Sequence, residues 1–430
     1  MSGLRRIFGS QITKNAMWII GEQIFQMILS LVIGVISARY LGPSNYGALN
    51  YTASFVTFFS SFAVLGMDGI IIKRMIAEPD KEGRYLGGCI LLRFISAVLS
   101  SVSVIFIVWL LNPDDSVKLV LISIQSIQLI FMAVNIFDSW FQRWLRSANI
   151  SIAKVLTSIA IASYKIYILL TAKDIRWFAF SNVLSYMILS VVLYISYKKS
   201  SSQALKPDIK KGILVLSESY HFIISGVMVA IYGQMDKMMI GGMIDDKAVG
   251  LYATAATLCT AWLFIPAAIM NSFRPKIMEI KQYDDERTYK RRLEQLYSLI
   301  IWLCLIVSLI ICLFGYWVIL LLFGTEYLGA VPALRVLIWS EVFSMIGTMR
   351  GIWILCEGKQ KYVKYYLGIG ATLNLVLNTV LIPLFGIVGA ALATLITQVF
   401  TSLIAPILFK ETRVHTKLVF ESFLLRWHKK

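Results

Sequence analysis

Charge is scarce in this sequence. Only 15% of its 430 residues are Asp, Glu, Lys or Arg, while 58% are hydrophobic and the mean hydropathy is +0.73. Soluble domains carry about 25% charged residues, so a water-facing surface of this size cannot be covered, and a soluble protein is excluded. The same apolar excess excludes an intrinsically disordered chain. Cysteine is sparse as well: Cys89, Cys259, Cys304, Cys312 and Cys356 are odd in number, lack metal-ligand spacing and sit in or beside apolar runs. They read as small buried hydrophobes, so no disulfide framework and no metal site is expected. Local signatures of common chemistry are missing too. No G-x-x-x-x-G-K-[ST], HExxH or GxSxG stretch occurs, which removes P-loop ATP hydrolysis and two large hydrolase classes, and no cofactor is implied.

What the chain has instead is length of apolar sequence. Runs of about 20 apolar residues cross a hydrocarbon core as helices. Twelve are expected, over 15–38, 48–72, 87–111, 118–139, 151–171, 177–197, 213–241, 249–273, 295–323, 331–355, 365–384 and 387–409. The first is too long for a signal-peptide core and has no small-residue cleavage site, so it is read as retained.

The formal charge of +17 now acquires a meaning. Connections on the N-terminal side of the spans hold 30 Lys and Arg, against five (Arg39, Lys118, Lys173, Arg176, Lys247) on the other side. That asymmetry predicts a multi-pass protein with both termini cytoplasmic. It accounts for the basic balance without nucleic acid, which is not expected as a partner. Connections on the base-poor side are short, about 5 to 10 residues, which leaves little room for an external catalytic domain and argues for translocation rather than synthesis.

The spans divide six and six about the basic linker Lys198–Lys211, giving expected lobes at 1–205 and 206–430. An internal echo supports duplication. Tyr46–Ala53 resembles Val249–Ala256 at an offset of 203, and the same offset pairs Met67–Asp68 with Met270–Asn271 and Lys73 with Lys276. Two parallel six-span halves are a transporter plan.

Ionisable groups inside a membrane are costly and mark candidate sites. The spans contain Glu22, Asp68, Asp138, Glu218, Asp236 and Glu341, and the bases Arg93, Lys154, Lys165, Lys237, Arg335 and Arg350. Helical spacing gathers several into stripes. Glu22, Gln26 and Ser30 share a face of the first span. Asn135, Asp138 and Gln142 mark the fourth, and Lys154, Ser158 and Lys165 the fifth. An apolar helix with one polar stripe suits the wall of a water-filled cavity.

Several motifs resemble a known family. Arg39–Tyr40–Leu41–Gly42–Pro43–Ser44–Asn45–Tyr46–Gly47 is similar to the R-x-LG-P-x-x-YG turn of Wzx-type polysaccharide flippases, members of the MOP superfamily. The likeness continues through Leu65–Gly69, Lys73–Ala77, Asp138–Gln142, Met235–Lys237, Val249–Tyr252 and Phe264–Pro275, nearly the whole chain. In the turn, Gly42 and Gly47 suit tight backbone geometry and Pro43 fixes φ.

The resemblance implies an all-α integral membrane fold of MOP/MATE-like type, with twelve transmembrane helices in two six-helix lobes around a central cavity. It implies a flippase, not an enzyme, of a bacterial cytoplasmic (inner) membrane. The expected cargo is an undecaprenyl-diphosphate-linked oligosaccharide moved to the outer leaflet by alternating access, with an ion gradient as a candidate energy source. Membrane lipids and glycan polymerase or assembly proteins are the candidate partners. On that expectation Arg93, Lys165 and Arg350 face the diphosphate. Gln26, Asn135, Gln142 and Trp140 face the sugars, and Glu22, Asp68, Asp138 and Asp236 serve ion coupling or gating. A cation or drug exporter on the same fold is the alternative.

Overall fold

The computed structural model describes residues 11–144, 146–201, 203–283 and 285–424, and the side chains of this range except at 11–17, 19, 20 and 147. Among the described residues all regular structure is helical. In chain order the α-helices are α1 (Gln11–Val64), α2 (Asp68–Ala77), α3 (Glu82–Leu111), α4 (Ser116–Met132), α5 (Phe137–Arg143), α6 (Ser147–Leu170), α7 (Ile175–Ser200), α8 (Ile209–Met243) and α9 (Asp246–Thr260). The series continues with α10 (Phe264–Tyr283), α11 (Glu286–Leu322), α12 (Val331–Cys356), α13 (Val363–Phe385), α14 (Ile387–Val399), α15 (Ala405–Leu408) and α16 (Arg413–Phe423). Short 3-10 segments and one π-helical turn, Phe400–Ile404, join some of them.

Eleven described helical stretches are long and apolar enough to cross a membrane. The first, Gly21–Ala77, contains the first two of the twelve expected spans. Within α1 they are two helices joined at a kink, where Gly42 adopts the non-helical φ 70, ψ 167 just before Pro43. A left-handed φ is open to glycine at no steric cost, and proline cannot continue the preceding hydrogen-bond ladder, so the bend falls there. Exposed Leu99, Leu170, Leu313 and Leu321 are what lipid-facing helices carry.

Contacts divide the chain into two compact units. The first holds the chain up to Leu41 and Ala48–Gln234; the second holds Gly42–Gly47 and the chain from Met235. The division thus runs through α8, C-terminal to the expected boundary at 205/206, because the linker is packed into the first unit. Gly83, Gly87 and Gly88 of α3 each lack the β-carbon that would lie 2.1–2.3 Å from a linker carbonyl oxygen, those of Ala204, Lys206 and Asp208. Gln203 accepts from the Gly83 N–H at 3.1 Å and donates to the Pro79 carbonyl at 2.7 Å. Glu78 ties down the same corner, accepting from Lys81, Lys211 and Tyr85.

Each unit has its own core. The first centres on Met67, Ile71, Met75, Leu86, Phe137 and Phe141, the second on Ile277, Leu293, Ile300, Met345, Met349 and Trp353. In the second unit Gly47 and Gly250, equivalent under the 203-residue echo, pack reciprocally. A β-carbon on Gly47 would fall 1.6 Å from the Asp246 carbonyl oxygen, and one on Gly250 would fall 2.0 Å from that of Pro43. Gly47 is therefore a helix-packing residue inside α1 rather than part of the turn expected from sequence.

Two outcomes follow. Gly47→Ala should lower the thermal unfolding temperature of detergent-solubilised protein sharply, through overpacking worth about 1–3 kcal/mol. Gly69→Ala, where a β-carbon meets nothing within 4 Å, should leave it unchanged or slightly raised. Hydrogen bonds from Lys81, Tyr85 and Lys211 hold the Glu78 carboxyl down at about 2. Because its folded value is depressed, its contribution is complete above the usual carboxylate range and is lost as pH falls through about 2. Limited proteolysis of the 203–208 linker should therefore proceed at one rate from pH 8 to pH 5, and faster at pH 7 in Glu78→Gln.

Candidate functional site

The polar stripes of the first unit converge on one cavity of about 720 Å³. The part of α1 before the bend contributes Glu22, Gln26, Ser30 and Ile33, one face of the helix at three- and four-residue steps. α6 contributes Ser151, Lys154, Ser158, Ile161 and Lys165 on the same periodicity. Asn135, Asp138 and Gln142 come from the irregular stretch where α4 passes through a 3-10 turn (Ala133–Ile136) into α5. Their i, i+3, i+7 spacing puts all three on the wall. α7 closes the cavity with Asn182, Ser185, Tyr186 and Leu189.

The charged groups here are Glu22, Asp138, Lys154 and Lys165, two of each sign. Lys154 Nζ lies 3.2 Å from Asp138 Oδ2, and Asp138 Oδ1 has no hydrogen-bond partner among the described residues. Glu22 is 7% exposed. Lys165 makes no hydrogen bond or ion pair with any described residue. The Thr157 and Ser158 hydroxyls donate to carbonyls of their own helix at 2.8 Å, which leaves their oxygens as acceptors. Five amides, Gln23, Gln26, Asn135, Gln142 and Asn182, offer both donor and acceptor. The site is thus polar, near neutral in charge and rich in groups that pair with hydroxyls.

Of the eleven residues singled out from sequence, six line this cavity: Glu22, Gln26, Asn135, Asp138, Gln142 and Lys165. The other five lie elsewhere. Arg93, 1% exposed, pairs with Asp68 at 2.9 Å, and Ser139 Oγ lies 3.4 Å from the same carboxylate oxygen. Trp140, expected to meet sugars, is 2% exposed in the core, with its indole N–H donating to Glu82 at 2.8 Å while Arg143 pairs with the same carboxylate. Its ring edge borders a second, smaller cavity with Trp144 and Arg146.

Arg350 and Asp236 belong to the second unit. The Arg350 guanidinium donates to the Thr401 carbonyl in the π-helical turn and stacks 4.2 Å above the Tyr366 ring. Asp236, 8% exposed, accepts from Tyr252, from Asn378 at 2.7 Å and from Thr394 at 2.6 Å. Around it Asn378 Oδ1, Asn374 Nδ2 and Thr397 Oγ1 have no partner among the described residues. It forms a separate buried polar cluster.

Sequence reasoning did not single out Gln23, Ser151, Asn182, Ser185 and Tyr186 as candidates. A signal existed for α7, since Asn182, Ser185, Tyr186 and Leu189 follow the i, i+3, i+4, i+7 rule. The absence of a charge made that stripe easy to pass over.

The Arg93–Asp68 pair generates a test. Asp68 is half-exposed while Arg93 is buried, so Asp68→Asn leaves an uncompensated buried cation, at about 3–5 kcal/mol. Arg93→Gln leaves a carboxylate that water can solvate. Thermal stability in detergent should fall further in Asp68→Asn than in Arg93→Gln; the reverse order would contradict the assignment.

Comparison with known proteins places this geometry. Residues 12–281 match the model of the family described as "Polysaccharide biosynthesis protein". The probable low-salt glycan biosynthesis flippase Agl15 of Haloferax volcanii is 23% identical over 361 residues, 83% of this chain and 75% of that protein. Among solved structures, the lipid II flippase MurJ in an inward closed conformation superposes with a TM-score of 0.73 at 14% identity, covering 95% of this chain and 91% of that one. An inward-facing multidrug resistance MATE transporter of the MOP superfamily gives 0.64 at 14% identity, covering 94% and 95%. The chain therefore shares the MOP fold.

Proposed function

The chain belongs to the polysaccharide biosynthesis protein family, and on that premise we propose that it is a flippase for a lipid-linked oligosaccharide. The finer reading is an undecaprenyl-diphosphate-linked oligosaccharide that passes from the cytoplasmic to the outer leaflet by alternating access. Sugar hydroxyls and phosphate cannot enter hydrocarbon unpaired, whereas a polyprenyl tail can stay in lipid, so the protein has to supply a polar path for the head group alone. The observation that carries the reading is the cavity of the first unit: five amides, several hydroxyls and balanced charge in a space of about 720 Å³ within membrane-spanning helices. A glycan flippase among the relatives supports it.

Within this reading Gln26, Asn135, Gln142 and Asn182 bind sugar, and Lys165, which has no partner among the described residues, takes an anionic group. Arg93 and Arg350 are engaged, so anion binding by either requires release from its present partners. Trp140, buried in the core and bonded to Glu82, lies off this wall. Glu22 and Asp138 are candidates for gating, and Asp236, with three donors on one buried carboxylate, is the strongest candidate for ion coupling. The second reading, a cation or drug exporter, draws on the two cavity acids. The two lysines on the same wall count against it.

The test uses a host deleted for this gene and complemented with variants of matched membrane abundance. A charge-assisted hydrogen bond is worth about 1.5–3 kcal/mol, so Lys165→Gln should cut surface glycan export roughly ten- to hundredfold, and Lys165→Glu should abolish it. Full export by Lys165→Glu would remove Lys165 from the path. Wild-type resistance to organic cations without any glycan phenotype would favour the exporter.

A further inference from the structure

The longest basic connection, 274–292, carries seven Lys and Arg, and the helices that bracket it form a groove of their own. α10 and α11 pack as consecutive helices of the second unit. α10 presents Phe273, Lys276 and Ile277 to the groove, and α11 presents Arg292, Leu296 and Leu299, enclosing about 410 Å³. It shares no residue with the cavity of the first unit.

The groove is layered. Ile277 and Leu296 form its buried floor, at 2% and 4% exposed, while Phe273 and Leu299 stand half-exposed at its rim. With the expected spans ending at 273 and beginning at 295, Phe273 and Leu299 lie at acyl level. At 1.5 Å per residue, Lys276 sits about 4.5 Å beyond Phe273 and Arg292 about 10 Å beyond Leu299, at head-group level. Neither base is neutralised by a strong partner. Lys276 has an exposed contact with Glu279 at 3.1 Å, of the weak surface kind, and Arg292 donates to the neutral Gln295 at 3.0 Å.

We propose that this groove binds an anionic glycerophospholipid of the surrounding bilayer. Its phosphate sits between Lys276 and Arg292, its glycerol backbone covers the floor of Ile277 and Leu296, and an acyl chain lies along Phe273 and Leu299. Basic pockets between membrane helices on the base-rich side are suited to such head groups. The apolar floor selects a lipid over a free phosphate ion, which would leave that floor bare.

The probe is phosphatidylglycerol. Full-length protein is purified in mixed micelles with equal phosphatidylglycerol and phosphatidylcholine, and retained lipid is counted by native mass spectrometry. Wild type should retain phosphatidylglycerol preferentially. Lys276→Gln with Arg292→Gln, both exposed side chains whose loss leaves the core intact, should lose that preference by roughly tenfold or more. Lys198→Gln with Lys199→Gln, which removes the same charge from another basic segment, should keep it, and millimolar inorganic phosphate should not displace the lipid. Four results would overturn the proposal: wild-type preference in the first double variant, equal loss in the second, displacement by inorganic phosphate, or displacement of phosphatidylglycerol by an equimolar polyprenyl phosphate. The second would mean diffuse surface charge, the third an ion site and the fourth a carrier-lipid site.

Discussion

A polar group placed inside hydrocarbon must find a partner within the protein or in water that the protein encloses, and the arrangement of this molecule follows from that constraint. It explains why all regular structure among the described residues is helical, since a helix satisfies its own ladder. It explains the pairing of Arg93 with Asp68 and of Arg74 with Glu218. The same constraint shapes the exception. Where the polar faces of α1, α6 and α7 and the broken helix around Asn135 meet, side chains remain that no other side chain satisfies, and a space of about 720 Å³ stands among them. The function is read from that space because it is where the protein leaves polar groups for something else to meet.

The spans, their number and the asymmetry of charge were legible in the sequence, because hydropathy depends on composition over about 20 residues and tolerates errors of register. The stripes on α1 and α6 were legible for a similar reason, since helical periodicity fixes which side chains share a face. Pairing between helices was not. Arg93 reads from sequence as a cation free to meet a diphosphate, and only the fold brings it to Asp68. Trp140 reads as a sugar platform, but α5 turns its ring into the core against Phe141 and Tyr197. The linker after Lys198 reads as a boundary, while the glycines of α3 make it part of the first unit. Gly47 shows how a motif can carry the right residue for a different reason: its missing side chain serves helix contact and not the bend.

Net charge is the weakest guide to what this protein carries. The base-rich connections account for +18 and the opposite ones for −1, while the spans cancel. Within the cavity the signs cancel again, two against two. A neutral, amide-lined space recognises by hydrogen bonding, which suits sugars of many kinds and selects weakly against any one of them. A single cation with no partner among the described residues adds a fixed point for an anionic group. Asp236 is held in a separate polar cluster of the second unit. In the proposed reading this keeps recognition of cargo apart from coupling to an ion.

The most direct measurement is transbilayer movement in proteoliposomes that contain the purified chain, assayed in parallel with a fluorescent polyprenyl-diphosphate oligosaccharide and with a lipophilic organic cation. The account predicts that the glycolipid equilibrates between leaflets only when the protein is present and that the cation does not move above the protein-free rate. Rapid cation transport with a stationary glycolipid would contradict it.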